Sequence, residues 1–159
     1  MTVERAIRYD EEHGEPRLFI PTLAAFYDWA RGVSWLIIRL TIGGMLLVHG
    51  MEKVLGPGLA GTAASLAGRG IEPAVPLAAI VIFLETIGAV CVMAGLLTRI
   101  VGPMIAVELA IITFGPHGFA YAMQGNAWQY PFLWGVMFFA VSLRGGGPYS
   151  LDRLIGKEL

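Results

Sequence analysis

The feature that most constrains the fold is an apolar run over residues 74–97, in which Glu85 is the only charged residue. An α-helix needs roughly 20 predominantly apolar residues to cross the hydrocarbon core of a bilayer, so this run is long enough to span one. Three shorter apolar runs need flanking aromatic or glycine residues to reach that length: about residues 35–51, 100–114 and 128–143. The pattern predicts an all-α integral membrane protein built as a four-transmembrane-helix bundle.

The composition supports a membrane protein and excludes several functional classes. Hydrophobic residues make up 56% of the 159 residues and charged residues 14%, an apolar share well above that of a soluble domain. A formal net charge of -1 provides no basic surface for nucleic acid, which is excluded as a partner. The single cysteine, Cys91, excludes an intrachain disulfide, a thiol pair or a cysteine-built metal site in this chain. Any redox chemistry must therefore use another group.

The distribution of lysine and arginine predicts the orientation of the bundle. With an even number of helices both termini share one side, which carries most of these residues: Arg5, Arg8, Arg17, Arg31, Arg99, Arg144, Arg153 and Lys157. The opposite side carries only Lys53 and Arg69. Because positive residues accumulate on the cytoplasmic side of membrane proteins, both termini are expected in the cytoplasm. Residues 1–17 lack the apolar core of a secretory signal peptide, so the mature protein is expected to keep them.

Two short amphipathic helices are expected to lie in the membrane interface, one before the first span and one after the last. The segment PRLFIPTLAAFYDWARG places apolar residues at helical spacing, namely Leu23, Phe26, Tyr27 and Ala30. Near the C-terminus, Ser150 provides an N-cap for a helix with an apolar face formed by Leu151, Leu154 and Ile155. These features divide the chain into a charged cytoplasmic segment with an interfacial helix (residues 1–34), a four-helix transmembrane domain (35–143) and a cytoplasmic glycine-rich hinge with a short helix (144–159).

Three charged residues lie at membrane depth in the predicted bundle: Arg39, Glu85 and Glu108. Such a residue costs roughly 2.5–3.5 kcal/mol on insertion scales and usually faces the bundle interior with a partner. At ~1.5 Å per residue the three lie about 9, 18 and 14 Å from the cytoplasmic side, which predicts a buried pair of Arg39 with Glu85 or with Glu108. One arginine neutralises one carboxylate, so the other is left neutral or left for a polar ligand. Two interpretations stay open: a structural polar cluster that holds three helices in register, or a functional site such as a proton path or a quinone head-group pocket.

Further candidate site residues lie toward the far end of the predicted bundle. Several residues of the first helix share one face, and the glycines among them permit close helix approach: Arg39, Gly43, Leu46, Gly50 and Lys53. His49 and His117 lie near the same non-cytoplasmic surface on different helices. Such a pair can ligate a haem or a metal ion. Because His117 stands among helix breakers in FGPHG, a hydrogen-bonding role is preferred, and no metal site is predicted.

Several spaced motifs occur in a fixed order along the chain: FYDW, RLTIGGMLLVHGMEKVLG, FLETIGAVCVMAGLLTR, His117 and WQYPFLWGVMFFAVSLRGGGPYSLDRLIGKEL. Together they resemble the DoxX family of small four-helix bacterial membrane proteins over roughly residues 20–159. The family pattern selects Arg39, His49, Gly50, Lys53, Glu85, Gly88, Gly95, Arg99, His117, Gly145, Gly146, Gly147, Ser150 and Asp152. The sequence departs from that pattern at Glu52, where glutamine is frequent, and at Gln129, where an acidic residue often precedes Tyr130 and Pro131.

The resemblance implies a multi-pass protein of the bacterial inner membrane with a role in redox metabolism. Named members of the family are linked to sulfur oxidation, as the small subunit of a thiosulfate:quinone oxidoreductase, and to an oxidoreductase assembly for oxidative-stress defence. The chain has no flavin, nicotinamide, haem-attachment or thiol-pair motif, so it is not expected to transfer electrons alone. The sequence leaves the cofactor open, with quinone as the candidate, and haem is not expected. The expected partners are the lipid bilayer, other membrane or redox proteins, and further copies of the chain.

Three functions are therefore open for this chain. In the first it is a component of, or accessory to, a quinone-linked oxidoreductase, in which Arg39, Glu85 and Glu108 line a polar pocket. His49 and His117 then lie at the pocket mouth, with Lys53 close by. In the second it is a non-catalytic structural subunit that packs on a larger respiratory or photosynthetic complex. In the third it is a proton or small-solute transporter, which requires an oligomer because four short helices leave little room for alternating access.

Overall fold

The computed structural model describes residues 18–115 and 128–157, and every regular element in these ranges is helical. After a 3₁₀ turn at Pro21–Leu23, helix α1 runs over Ala24–Leu55, and α2 follows at Gly58–Ala67. The next helix is continuous over Ala74–Ala94 and consists of α3 (Ala74–Phe83), a π-helical turn (Leu84–Gly88) and α4 (Ala89–Ala94). The remaining helices are α5 (Thr98–Phe114), α6 (Gln129–Arg144) and α7 (Leu151–Ile155).

Within residues 18–115 and 128–157, two helices are long and apolar enough to cross a bilayer, namely Pro21–Leu55 and Ala74–Ala94. Helix α5 has 17 residues and α6 has 16, and the two pack along each other. The all-α prediction is therefore confirmed for the described residues. The four-span arrangement with both termini in the cytoplasm stays a prediction.

Helix α1 includes the segment that the sequence assigns to a separate interfacial helix around residues 23–30. No proline interrupts residues 24–55, so nothing in this stretch forces the helix to end. Gly32, next to the predicted boundary at residue 34, packs against the C-terminal segment. A Cβ at Gly32 would lie 3.0 Å from Pro148 Cγ and 3.1 Å from the ring of Tyr149. The predicted boundary at residue 34 therefore falls inside a helix.

The apolar core lies where α1, the continuous α3–α4 helix, α5 and α6 meet. Its buried side chains come from all four: Trp35, Ile42, Leu46, Leu84, Ala89, Val92, Val101, Ile105, Leu109, Trp134, Phe138 and Val141. The predicted close approach at the glycines of α1 is confirmed. A Cβ on Gly43 would lie 2.5 Å from Met93 Cγ, and one on Gly50 would lie 2.5 Å from the carbonyl oxygen of Glu85.

The C-terminal segment folds back onto the turn between α4 and α5. The buried carboxylate of Asp152 accepts hydrogen bonds from the backbone N–H of Leu97 at 2.9 Å and of Thr98 at 3.4 Å, and so satisfies amides at the start of α5. The N–H of Asp152 donates to the carbonyl of Gly95 at 3.1 Å. The predicted N-cap of α7 is confirmed, because the Ser150 hydroxyl accepts from the N–H of Arg153 at 3.3 Å. The C-terminal segment and the α4–α5 turn therefore share one end of the bundle.

Replacing Asp152 with alanine is expected to lower the free energy of unfolding by about 1–2 kcal/mol, the usual effect of losing a carboxylate that caps a helix. The measurement is the thermal unfolding midpoint of the full chain in a mild detergent, followed by circular dichroism. Glu52 is an exposed acidic residue on α1, and Glu52→Ala is the matched control with an unchanged midpoint. Equal midpoints for the two variants would show that Asp152 does not fasten the C-terminal segment.

Candidate functional site

Arg39 is a fully buried residue of α1 that binds the backbone of the C-terminal segment. Its side chain is 1% exposed. The guanidinium donates one hydrogen bond to the carbonyl of Gly146 and another, of 2.5 Å, to the carbonyl of Tyr149. The predicted ion pair of Arg39 with Glu85 or Glu108 is wrong, since the glycine-rich hinge folds over α1 and supplies two carbonyl oxygens instead.

Three residues near Arg39 contribute to this arrangement: Gly95, Trp35 and Arg144. Gly95 has a φ of 69°, and a Cβ there would lie 2.0 Å from a guanidinium nitrogen of Arg39, so the position excludes any side chain. Trp35, one turn earlier on α1, donates from its ring N–H to the carbonyl of Gly145 at 3.0 Å. The guanidinium carbon of Arg144 lies 4.7 Å from the centre of the Trp35 ring. We call residues 145–152, together with Trp35 and Arg39 that hold them, the C-terminal clasp.

Glu85 is the buried carboxylate that does have a charged partner, and that partner is Lys53. The ammonium of Lys53 forms an ion pair with Oε2 of Glu85; the lysine side chain is 30% exposed and the glutamate side chain 4%. Glu85 lies in the π-helical turn Leu84–Gly88, a type of turn that is frequent at functional sites. Because Gly50 packs directly on the Glu85 carbonyl, α1 comes close enough for Lys53 to reach this carboxylate.

Glu108 has no such partner. Its side chain is 8% exposed, and neither carboxylate oxygen has a hydrogen-bond partner among the described residues. A buried polar group without a partner loses its hydration without compensation, which costs free energy. Of the charged residues predicted at membrane depth, Glu108 is the one that a ligand would satisfy.

Glu108 lines a cavity of about 450 Å³ that α3, α5 and the end of the α2 region enclose. Most of the lining is apolar, including Leu77 and Leu84 from the α3 side and Met104 and Ile111 from α5. Arg69, in the turn after α2, adds a second charged side chain to the lining. Ligand cavities of this size are typically apolar with a few polar groups that orient the ligand, and this cavity fits that description.

Lys53, Glu85 and Glu108 belong to one electrostatic cluster. Lys53 pairs with Glu85, and the π-helical turn that carries Glu85 packs against α5, the helix of Glu108. Leu84, which lines the cavity, directly precedes Glu85 in the π-helical turn. The cluster therefore joins the cavity to the partly exposed side chain of Lys53, near the end of α1.

Of the two candidate histidines, the structure describes His49. His49 is exposed on α1, where its Nδ1 donates to the carbonyl of Met45 at 3.0 Å and its ring meets Trp134 edge-on with centroids 5.0 Å apart. It does not belong to the lining of the Glu108 cavity. His117 lies outside the described residues. The structure thus brings together three of the predicted site residues, Lys53, Glu85 and Glu108, and holds Arg39 in the C-terminal clasp.

Replacing Lys53 with methionine is expected to destabilise the protein by about 1–3 kcal/mol, because the variant leaves the buried Glu85 carboxylate without its charged partner. Adding Glu85→Gln to Lys53→Met removes the second charge and is expected to recover part of that loss. A double-mutant cycle of unfolding midpoints in detergent measures the coupling. Strictly additive effects of the two substitutions would contradict the ion pair.

Comparison with known proteins identifies the family of the chain. The family model described as DoxX matches residues 34–118, just over half of the 159 residues. A search among curated proteins and another among solved structures gave no significant match. The matched range includes the cavity lining and the residues Lys53, Glu85 and Glu108. It ends before α6 and the C-terminal segment. The chain therefore belongs to the DoxX family of membrane proteins.

Proposed function

We propose that this protein is the quinone-binding membrane subunit of an oxidoreductase complex. The observation that carries the proposal is the unpartnered, buried carboxyl of Glu108 in an apolar cavity of about 450 Å³. A membrane quinone combines a flat head group bearing two oxygen atoms with an apolar chain. The cavity offers one hydrogen-bonding carboxyl for the head group and apolar walls for the rest of the molecule.

Glu108 serves both redox forms of such a ligand. A protonated carboxyl donates a hydrogen bond to a quinone carbonyl, and a carboxylate accepts one from a quinol hydroxyl. Either hydrogen bond gives the buried Glu108 carboxyl a partner that the described residues do not supply.

The site differs from the pocket that the sequence predicts. Arg39 is bound by the backbone of the C-terminal clasp, and Glu85 is bound by Lys53, so neither provides a free head-group contact. Glu108 is the residue of the predicted set that lines the cavity. The proposal therefore rests on Glu108.

The redox-active group that exchanges electrons with the quinone belongs, in this proposal, to a partner protein. The chain has one cysteine and none of the sequence motifs that hold a flavin, a nicotinamide or an attached haem. Its own residues bind and orient the quinone, exclude water from the head group and hold a proton at the Glu108 carboxyl. A structural subunit without a bound quinone is the alternative that the experiment below separates.

A four-span arrangement in the inner membrane, with both termini in the cytoplasm, is part of the proposal. Its support is the end of the bundle at which the clasp lies. There the early part of α1, the α4–α5 turn and the C-terminal segment come together through Gly32, Leu97 and Asp152. An even number of crossings brings these segments to the same membrane face, and most lysines and arginines belong to that face.

Replacing Glu108 with leucine is expected to weaken quinone binding at least tenfold, since a hydrogen bond to an ionisable group contributes roughly 1.5–3 kcal/mol and about 1.4 kcal/mol corresponds to tenfold in affinity. The measurement is quenching of tryptophan fluorescence in lipid nanodiscs by a short-chain ubiquinone and a short-chain menaquinone. Glu52→Leu, an exposed acidic position on α1, is the matched control with unchanged affinity.

A second variant tests the cavity independently of the carboxyl. Leu77 lines the cavity, and Leu77→Trp adds a ring that fills part of the space, so quinone affinity is expected to fall while the unfolding midpoint stays within a few degrees. If the variants Glu108→Leu and Leu77→Trp both bind the two quinones as tightly as the unaltered protein, the cavity is not a quinone site.

A further inference from the structure

We infer that Glu108, Glu85 and Lys53 form a proton relay between the Glu108 cavity and the surface near the end of α1. The inference rests on the proposed function for the purpose of the relay, because a quinone takes up protons when it is reduced. The relay itself depends only on the three side chains and is testable with the cavity empty.

The cavity end of the relay is a carboxyl that no other side chain holds. Glu108 is 8% exposed, and both of its oxygens lack hydrogen-bond partners among the described residues. A carboxyl that is not fixed by a hydrogen bond is able to turn between a ligand and a neighbouring acceptor. Glu108 therefore has the position and the freedom to pass a proton into or out of the cavity.

The middle of the relay is Glu85, which lies behind the cavity wall. Leu84 lines the cavity, and Glu85 follows it in the same π-helical turn, on a segment that packs against α5. The helix that this turn contacts is the one that carries Glu108, and Leu84 and Glu108 line the same cavity. The two buried carboxyls thus belong to segments that pack against each other beside the cavity.

The surface end of the relay is Lys53. Its ammonium binds Glu85 and its side chain is 30% exposed, whereas the Glu85 side chain is 4% exposed. The contact is fixed by Gly50, since a Cβ there would lie 2.5 Å from the Glu85 carbonyl oxygen. Lys53 therefore connects the buried carboxyl to an accessible position near the last turn of α1.

The transfer balances without any electron acceptor. A protonated Glu108 side chain turns toward Glu85, forms a hydrogen bond that it does not make in the structure, and gives its proton to the Glu85 carboxylate. This leaves a Glu108 carboxylate and a protonated Glu85. Glu85 then gives the proton to a water molecule at the partly exposed side of Lys53, which becomes hydronium, while the Lys53 ammonium keeps its charge and its hydrogen bond. One proton has moved from the cavity to the surface, no bond other than O–H has changed, and the reverse sequence delivers a proton to the cavity.

Other charged groups near the relay are few within the described residues. Arg69, after α2, lines the same cavity and acts as a fixed positive charge at its wall. On α1, His49 is bound to the Met45 carbonyl and Glu52 is exposed. Helix α5 contributes Glu108 itself, and its other charged residue, Arg99, lies in the first turn after Leu97. None of these groups stands between Glu85 and Lys53, which are in direct contact.

The test follows the exchange of the Glu108 proton for deuterium in the full chain, in nanodiscs that contain no quinone. Infrared spectroscopy records the C=O stretch of protonated carboxyls, and the band assigned to Glu108 is the one that disappears in Glu108→Gln. In the double variant Lys53→Met with Glu85→Gln, which leaves no unpaired charge, exchange of this band in D₂O is expected to slow at least tenfold. Glu52→Gln is the matched control with the exchange rate of the unaltered protein.

The inference is overturned if the double variant exchanges as fast as the unaltered protein, or if Glu108→Gln removes no carboxyl band at any pH. If the double variant does not fold, the single variant Glu85→Gln replaces it, because glutamine keeps a hydrogen-bond partner for Lys53. Slower exchange of the Glu108 band is expected in this variant as well. Failure of the relay is distinct from failure of the proposed function, because quinone affinity is measured separately. If exchange slows in the double variant but no quinone binds, the relay is supported and the quinone site is overturned. If quinone binds but exchange is unchanged, the quinone site is supported and the relay is overturned.

Discussion

A polar group inside a bundle of apolar helices must find its partner within the protein, and this constraint organises the structure. Neither lipid nor the apolar core offers a hydrogen bond, so an unpartnered group costs free energy that few contacts nearby can offset. Arg39 meets the constraint at two of its three guanidinium nitrogens, through backbone carbonyls, and Glu85 meets it through an ion pair. Neither oxygen of Glu108 meets it among the described residues, which is why the function is proposed there.

Arg39 and Glu85 lie at different levels of the bundle and connect different elements. The C-terminal clasp at Arg39 joins α1 to the C-terminal segment, and Asp152 joins that segment to the start of α5. The ion pair of Lys53 and Glu85 joins α1 to the π-helical turn, some 14 residues, or about 21 Å, further along α1. These contacts fix α1 against the C-terminal segment at one level and against the π-helical turn, next to the cavity residue Leu84, at the other.

The sequence alone was sufficient to predict the features that depend on the average properties of a segment. Apolar runs predict the helices, and glycines at helical spacing predict the close approach of α1 at Gly43 and Gly50. The partner of Arg39 was beyond prediction because it is a set of backbone carbonyls, which every residue carries and no residue type marks. The match of Lys53 with Glu85 depends on the phase of a helix that changes at a π-helical turn, and the run of residues 74–97 has no signal for that turn. The cavity beside Glu108 depends on how several helices pack together, and no single residue type predicts it.

The C-terminal clasp has a consequence for how the chain matures at the ribosome. Arg39 and its carbonyl partners are 107 and 110 residues apart in sequence. Because synthesis proceeds from the N-terminus, α1 leaves the ribosome and meets the membrane well before Gly146 and Tyr149 exist. During that interval the guanidinium must be kept hydrated near the membrane surface or held by the insertion machinery. The hydrogen bonds of Arg39 to Gly146 and Tyr149 therefore form only after all the helices from α1 to α6 have been made.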